Sequence, residues 1–181
     1  MYGMVNKAVE DLICGQFGED TWEKIRQKAG VEDEVFVSNE AYPDELTYRL
    51  VGAASETLNL PAEKVLHVFG EHWILQTARE GYGHLMEAAG DNLRDFLINL
   101  PNFHTRVVMI MPKLEPPHFR VTDVTESSLR LHYHTHREGL APFMLGLLSG
   151  LAKMFETEIE VDHDVVRGEG ADHDEFLVHW K

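Results

Sequence analysis

The chain has 181 residues, 44% of them hydrophobic and 26% charged, which is typical of one globular domain and argues against a disordered, collagen-like or membrane protein. Lys and Arg number 16 against 31 Asp and Glu, and the resulting net charge of −15 disfavours nucleic acid and anionic membranes as partners. The single cysteine, Cys14, and an N-terminus without signal-peptide character predict a cytoplasmic protein, with Cys14 as a buried structural thiol.

The N-terminal half of the sequence repeats apolar residues every three or four positions, with charged residues on the opposite face, which predicts amphipathic helices. Capping and breaking residues divide this half into short helices. They are predicted from Val5, from Asp20 to Ala29, from Pro43 to Leu58, from Pro61 to about Glu80, over Leu85–Ala89 and over Leu93–Leu100.

Proline interrupts the pattern twice near the middle of the chain. Because proline lacks the N–H that a helix interior needs, a helix is expected to stop at Pro101. A separate helix is then predicted from Asn102 to Met111, ending before Pro112.

After Pro112 the hydrophobic period changes to two, which predicts strands. Two hairpins are expected, one on each side of an almost wholly apolar helix over 139–155. Their strands are predicted around Phe119–Val124, Leu129–Arg137, Glu158–Val166 and Glu175–Trp180. The predicted fold class is therefore α+β, a single domain in which a helical N-terminal subdomain (about 1–60) packs on a C-terminal subdomain (about 61–181) with a four-stranded antiparallel sheet and helices.

Common catalytic signatures are missing from the sequence. It contains no HExxH, GxSxG, Walker or GxGxxG motif, and no His-x-Glu paired with Pro-Cys-x-x-Cys. We therefore expect a protein that is not an enzyme.

The strand Leu129–Arg137 places Tyr133, Thr135 and Arg137 on the same side as Leu129 and Leu131. Two hydroxyls and a guanidinium are thus predicted to face the interior, where a positive charge requires an anion. That anion is either an internal carboxylate, giving a salt bridge, or a bound carboxylate or phosphate that arginine holds in bidentate fashion.

The other side of the same strand carries His132, His134 and His136. Alternate histidines on a strand share a face and could hold zinc, but a solvent-exposed row is the simpler expectation. The two Asp-His-Asp triplets at 162–164 and 172–174 leave the same choice between a divalent cation and solvated charges.

His104 differs from the other histidines because its helical neighbours are apolar. The neighbours are Phe103, Val107, Val108 and Met111. Such a histidine is predicted to point inward, either as a hydrogen-bonded core residue or, next to an anion site, as a haem ligand.

Four segments together resemble the H-NOX family, the haem-binding domain of bacterial gas sensors and of the soluble guanylate cyclase beta subunit. They are MYGMVNKAVEDL at the start, Asn102–His104, Pro117 with the following Phe119–Asp123, and His132–Leu140. The resemblance covers essentially the whole chain and implies the H-NOX fold with non-covalent haem b between the subdomains.

The resemblance also implies roles for individual residues. His104 would be the proximal iron ligand, and Tyr133, Thr135 and Arg137 would hold the haem propionates, with threonine where the family usually has serine. Pro117 would pack against the porphyrin. The gas pocket would be lined by Val5, Val9, Trp73, Met144 and Leu148.

As an H-NOX-like protein, the chain is expected to bind NO and CO at five-coordinate ferrous haem and to signal by release of His104. Oxygen-binding members carry a tyrosine early in the helix after the propionate strand, whereas the segment Leu140–Leu145 has no hydroxyl, so O₂ is expected to be excluded. The expected partner is a separate histidine kinase or diguanylate cyclase. The alternatives are a passive haem or gas carrier and a zinc-binding module that uses the histidine row.

Overall fold

A computed structural model describes residues 1–31, 35–111, 114–168 and 170–181 of the chain. Helices occupy most of the first 110 positions, and one further helix separates two pairs of strands. The helices are α1 (Gly3–Phe17), α2 (Glu19–Ala29), α3 (Asp44–Leu58), α4 (Ala62–His72), a π-helical segment (Trp73–Ala78), α5 (Arg79–Glu87), α6 (Leu93–Ile110) and α7 (Ala141–Met154). The strands are β1 (His118–Thr122), β2 (Ser128–His134), β3 (Ile159–Val165) and β4 (Asp174–Trp180).

The four strands form one antiparallel sheet in the order β1-β2-β4-β3, so both predicted hairpins are confirmed. Tyr133 pairs with Phe119 on β1 and with Asp174 on β4. Strand β2 ends at His134, three residues earlier than the sequence predicts. Thr135 and Arg137 consequently lie in the loop that leads to α7.

The predicted helix break at Pro101 is wrong, because helix α6 continues through it. The break predicted at Gly81 and Gly83 corresponds to a kink, since Tyr82 between them has non-helical backbone angles (φ −135°, ψ 16°) before the helix continues to Glu87. The cost of proline in α6 is offset by the packing of its apolar face, on which Phe96 and Leu97 are almost fully buried. Pro112, the other predicted stop, lies outside the described residues.

Helices α4 and α7 cross at very short range because glycines line their contact. A side chain at Gly146 would collide with the His67 carbonyl oxygen, and one at Gly70 with the Phe143 carbonyl oxygen. A Cβ at Gly150 would lie 2.8 Å from the Cβ of Ile74. This close packing anchors α4 and the π-helical segment against the helix that covers the sheet.

The hydrophobic core consists of two clusters. The first cluster comes from helices α1, α2, α3 and α4, and its residues Ile25, Leu50 and Ala54 are fully buried. The second cluster lies between helices α6 and α7 and the inner face of the sheet. The clusters meet at Trp73, which packs against both. The subdomain boundary near residue 60 stays a prediction. No helix in the described ranges is long and apolar enough to cross a membrane.

Candidate functional site

A cavity of about 240 Å³ lies where the two hydrophobic clusters meet. A single water needs only about 10–15 Å³ of such space, so the cavity is large enough for an organic group. Its walls come from α1, α3, α4 and the π-helical segment on one side and from α6, α7 and the sheet on the other, and they are mostly apolar. Four polar residues that the sequence singled out also line it: His104, Tyr133, Thr135 and Arg137.

His104 lies in the second half of α6, with its ring against the ring of Phe119 at a centroid distance of 4.9 Å. Its Nδ1 is 3.0 Å from the Leu100 carbonyl oxygen, which can only accept a hydrogen bond, so Nδ1 carries the proton. Burial lowers the pKa of His104, and the bond to Leu100 acts in the opposite direction. The imidazole is therefore neutral, with the Nε2 lone pair unpartnered among the described residues.

Arg137 already has partners in the structure. Its Nε donates to Asp44 Oδ2 at 2.7 Å, and a terminal nitrogen donates to the Glu115 carbonyl oxygen at 2.8 Å. This ion pair is the internal salt bridge that the sequence offered as one of two possibilities. Since Arg137 also lines the cavity, its guanidinium is in reach of an anion bound there.

Asp44 begins α3 and links the two halves of the molecule. Burial alone would raise the pKa of Asp44, but hydrogen bonds from the Met1 ammonium and from Arg137 outweigh burial, so the pKa is lowered. The carboxylate is thus ionised and holds Arg137 beside the cavity.

Tyr133 extends from β2 to the cavity and is almost fully buried. Burial raises the pKa of Tyr133 to about 12, although hydrogen bonding to Thr135 and the charge of Arg137 act the other way. The phenol is consequently neutral and able to donate. Thr135 Oγ1 accepts a hydrogen bond from the Arg137 backbone N–H at 3.1 Å, which fixes the loop after β2.

The structure brings together most, but not all, of the residues predicted for the gas pocket. Val5, Trp73 and Met144 line the cavity, and so does Pro117, which was predicted to pack against the porphyrin. Val9 and Leu148 are not among the described residues that line it; they belong to the first and second clusters, respectively.

Tyr82 was missed by sequence reasoning because the flanking glycines suggested a helix end. Its hydroxyl lies 3.3 Å from the sulfur of Met4 and 2.9 Å from that of Met111, and all three residues line the cavity. The kink at Tyr82 interrupts the regular helical spacing, so the sequence carried no periodic signal for this residue.

The histidine row is not the exposed surface that the sequence predicted. His132 is 5% exposed, His134 stacks on His173 with 3.9 Å between ring centroids, and His136 lies at the surface near Asp44. The three histidines therefore do not form one ligand set. Cys14 is partly rather than fully buried, and burial together with nearby acidic groups raises its pKa.

Comparison with known proteins identifies the family. Residues 2–163 match the family model described as Haem-NO-binding. The chain belongs to the H-NOX family. H-NOX domains bind haem and act as gas sensors rather than as catalysts.

Relatives and solved structures agree with this membership. The soluble guanylate cyclases gcy-32 and gcy-35 of Caenorhabditis elegans are each 30% identical, over 93% and 88% of this chain. The chain spans about a quarter of the length of these relatives. An H-NOX protein from S. oneidensis in the Fe(II)NO ligation state shares the fold, with a TM-score of 0.90, 24% identity, and coverage of 100% of this chain and 99% of that one.

The residues present in the cavity fit a haem. The large apolar space suits the porphyrin, the unpartnered Nε2 of His104 suits iron, and Arg137 with two hydroxyl side chains suits two carboxylates. No C-x-x-C-H attachment motif occurs in the sequence, in keeping with a cofactor held without covalent bonds.

Proposed function

We propose that this H-NOX chain is a haem-based sensor that binds NO and CO, excludes O₂, and signals to a separate effector protein in the cytoplasm. The proposed cofactor is non-covalent haem b in its five-coordinate ferrous form. The proposed effector is a histidine kinase or a diguanylate cyclase. The observation that supports the proposal most is the neutral imidazole of His104 in an apolar cavity that also contains Arg137.

Haem supplies an iron atom that takes one protein ligand and one diatomic gas. His104 provides the protein ligand through Nε2, since Nδ1 donates to the Leu100 carbonyl oxygen. That hydrogen bond fixes the tautomer and the direction of the ring, as outer partners of metal-bound histidines generally do. The apolar walls exclude water, and the early turns of α7 present no hydrogen-bond donor to the gas.

Three side chains would hold the haem carboxylates. Arg137 provides a charge-assisted, bidentate donor, and Tyr133 and Thr135 provide hydroxyls. Arg137 would share its guanidinium between Asp44 and the cofactor, so binding ties the N-terminal helices to the loop after β2. Pro117 would pack against the porphyrin face from the segment before β1.

The proposed signal starts at His104 and travels through α6. The imidazole touches Phe119 of β1, and the helix that bears it packs against the same strand. Loss of the bond between iron and His104 would free this helix to move relative to the sheet, giving the two arrangements that a switch requires.

The substitution His104→Gly tests the cofactor ligand. We expect the variant to lose haem during purification and to regain it when free imidazole replaces the missing ring. His84→Gly is the matched control, because it introduces the same helix-weakening glycine at a fully exposed histidine of α5. An unchanged ferrous absorption spectrum in His104→Gly would refute the assignment of His104.

A second experiment separates a sensor from a passive gas carrier. Autophosphorylation of a candidate histidine kinase is measured with the ferrous protein before and after addition of NO. We expect NO to change the kinase rate with wild-type protein. If no candidate kinase or diguanylate cyclase responds although NO binds, the signalling half of the proposal is wrong and the cofactor half stands.

A further inference from the structure

The outer face of the sheet holds a cluster of histidines that the haem site does not use. His132 and Glu175 are directly opposite each other in the β2–β4 pairing, and His173 precedes β4. Because side chains alternate along a strand, this cluster faces away from the cavity that Tyr133 lines. Although it lies on an outer face, His132 is only 5% exposed.

Three donor atoms converge in this cluster. His132 Nδ1 is 3.0 Å from His173 Nε2, His132 Nδ1 is 3.3 Å from Glu175 Oε1, and His173 Nε2 is 3.2 Å from the same oxygen. Tetrahedral coordination with bonds of about 2.0–2.1 Å places neighbouring donor atoms about 3.3–3.4 Å apart. The triangle thus has nearly the size of one face of a zinc coordination shell.

Outer partners orient both imidazoles toward the centre of the triangle. His173 Nδ1 is 2.6 Å from Asp172 Oδ1, and His132 Nε2 is 2.9 Å from Thr122 Oγ1. The carboxylate only accepts, so His173 carries its proton on Nδ1 and presents a lone pair at Nε2. A carboxylate behind a histidine is a common outer partner in metal sites.

The surrounding charges favour a divalent cation. Arg130 donates to the second oxygen of Glu175 at 3.2 Å, which leaves Oε1 free, and it also pairs with Asp123 and Asp164. The charged side chains of the cluster, and of the ion-pair network that Arg130 joins to it, are two guanidiniums and four carboxylates, which leave a net charge of −2 when the histidines are neutral. They are Arg120, Arg130, Asp123, Asp164, Asp172 and Glu175.

One cation in this network opposes metal binding. An Arg120 nitrogen lies 3.4 Å from His132 Nδ1, where it competes for the same lone pair. The Thr122 hydroxyl can accept a hydrogen bond from His132 Nε2 at 2.9 Å, an arrangement that directs Nδ1 of the ring toward the triangle. A neutral imidazole with an available lone pair is the form that binds a metal.

We propose that His132, His173 and Glu175 bind a zinc-class divalent transition-metal ion, separate from the haem cavity, with water in the fourth position. Two imidazoles and one carboxylate are a ligand set that zinc takes in proteins. The ion would join β2 to β4 beside Tyr133, and so stiffen the strand that contributes to the haem pocket.

The test is zinc titration of the haem-loaded protein by calorimetry, followed by X-ray absorption at the zinc edge. Filling the haem cavity first keeps zinc out of it, and the haem absorbance reports that the cofactor stays in place. We expect one zinc per chain, with two imidazole ligands in the absorption spectrum. His173→Ala and Glu175→Gln should each weaken binding by more than about 100-fold, since even outer-partner changes cost 10–100-fold.

Two further variants serve as controls. His179→Ala removes a histidine on the same face of β4, outside the cluster, and should leave zinc affinity unchanged. Arg120→Gln removes the competing cation and should tighten binding. The proposal is overturned if the wild-type protein takes no zinc at about 100 μM, or if Glu175→Gln and His173→Ala bind it as wild type does. Because Glu175→Gln preserves shape, a folding failure of His132→Ala does not affect the test.

Discussion

Arg137 can form a stronger hydrogen bond with a carboxylate than Thr135 can. A hydroxyl hydrogen bond contributes about 0.5–1.5 kcal/mol, whereas a charge-assisted, bidentate bond is roughly twice as strong. We therefore expect Arg137→Ala to reduce haem occupancy after dilution more than Thr135→Ala. Asp44→Asn is the control, since it removes the carboxylate charge that pairs with Arg137 and leaves the guanidinium in place. Equal haem occupancy in all three variants would favour a purely internal role for Arg137.

Asp44 makes the stability of the molecule depend on pH. Its pKa in the folded protein is lowered, so the unfolded chain binds more protons and stability is lost as pH falls through about 3.8 and below. At pH 7 we expect Asp44→Asn to reduce the free energy of unfolding by about 1.5–3 kcal/mol, the range for hydrogen bonds to charged groups. Urea titrations at pH 7 and near pH 3 measure this. A gap between variant and wild type that does not narrow in acid would contradict the prediction.

Some residues of the site could be predicted from the sequence and others could not. Tyr133 could be predicted because alternation on one strand is a local property. Thr135 and Arg137 also line the cavity, but they do so from the loop after β2, beyond the strand on which their prediction was based. The ion-pair partner of Arg137, Asp44, is 93 positions away in the sequence. Because composition alone allows any of the 31 acidic residues to pair with Arg137, only the three-dimensional structure identifies Asp44. The contact of His132 with His173 escaped for the same reason.

At the scale of elements, the glycines of α4 and α7 set the distance between two helices. A methyl group at Gly146 collides with the backbone at His67, which cannot move aside as a side chain could. We expect Gly146→Ala to lower the free energy of unfolding by about 1–3 kcal/mol. Gly15→Ala in α1 has open space around it and should instead raise it by about 0.5–1 kcal/mol. The measurement is the thermal unfolding of both variants and of the wild-type protein. Equal changes in stability for Gly146→Ala and Gly15→Ala would contradict the packing argument.

The sequence predicts whether a segment is a helix or a strand better than it predicts where the element begins and ends. Every predicted strand forms, and every predicted helix overlaps helical structure, although the one predicted over Leu85–Ala89 ends at Glu87. The predicted helix break at Pro101 is wrong because the local cost of proline in a helix, about 3 kcal/mol, is offset by burial of apolar side chains in the folded core. The continuity of α6 matters, because it places His104 on the same rigid helix as the core residues Phe96 and Leu97. The π-helical turn at Trp73 leaves no recognisable pattern in the sequence.

At the scale of the whole molecule, the cavity is a property of the packing between two cores, to which both halves contribute. The N-terminal helices give Val5 and Tyr48, and the C-terminal part gives His104 and Met144. Asp44 and Arg137 tie the halves by an ion pair next to the cavity. The proposed gas selectivity would therefore depend on residues that lie far apart in sequence and meet at this junction.

The ferrous, haem-loaded protein is expected to bind NO and CO and to give no stable O₂ spectrum in air. Bound O₂ acquires negative charge and needs a hydrogen-bond donor in a dry pocket, whereas NO and CO tolerate apolar walls. The early turns of α7 present Phe143, Met144 and Leu147 to the cavity, and none of these carries a donor.

Trp73 and Tyr82 on the cavity wall each carry a hydrogen-bond donor that would stabilise bound O₂ if it reached the ligand. Substitution of each residue therefore tests the expectation. The indole N–H of Trp73 has no partner among the described residues, whereas the Tyr82 hydroxyl is close to two methionine sulfurs. Absorption spectra of the reduced protein are recorded before and after exposure to air. A reversible O₂ spectrum in wild type would contradict NO selectivity. Its loss in Trp73→Phe or in Tyr82→Phe would then identify the donor, because each variant removes one polar hydrogen and retains an aromatic ring.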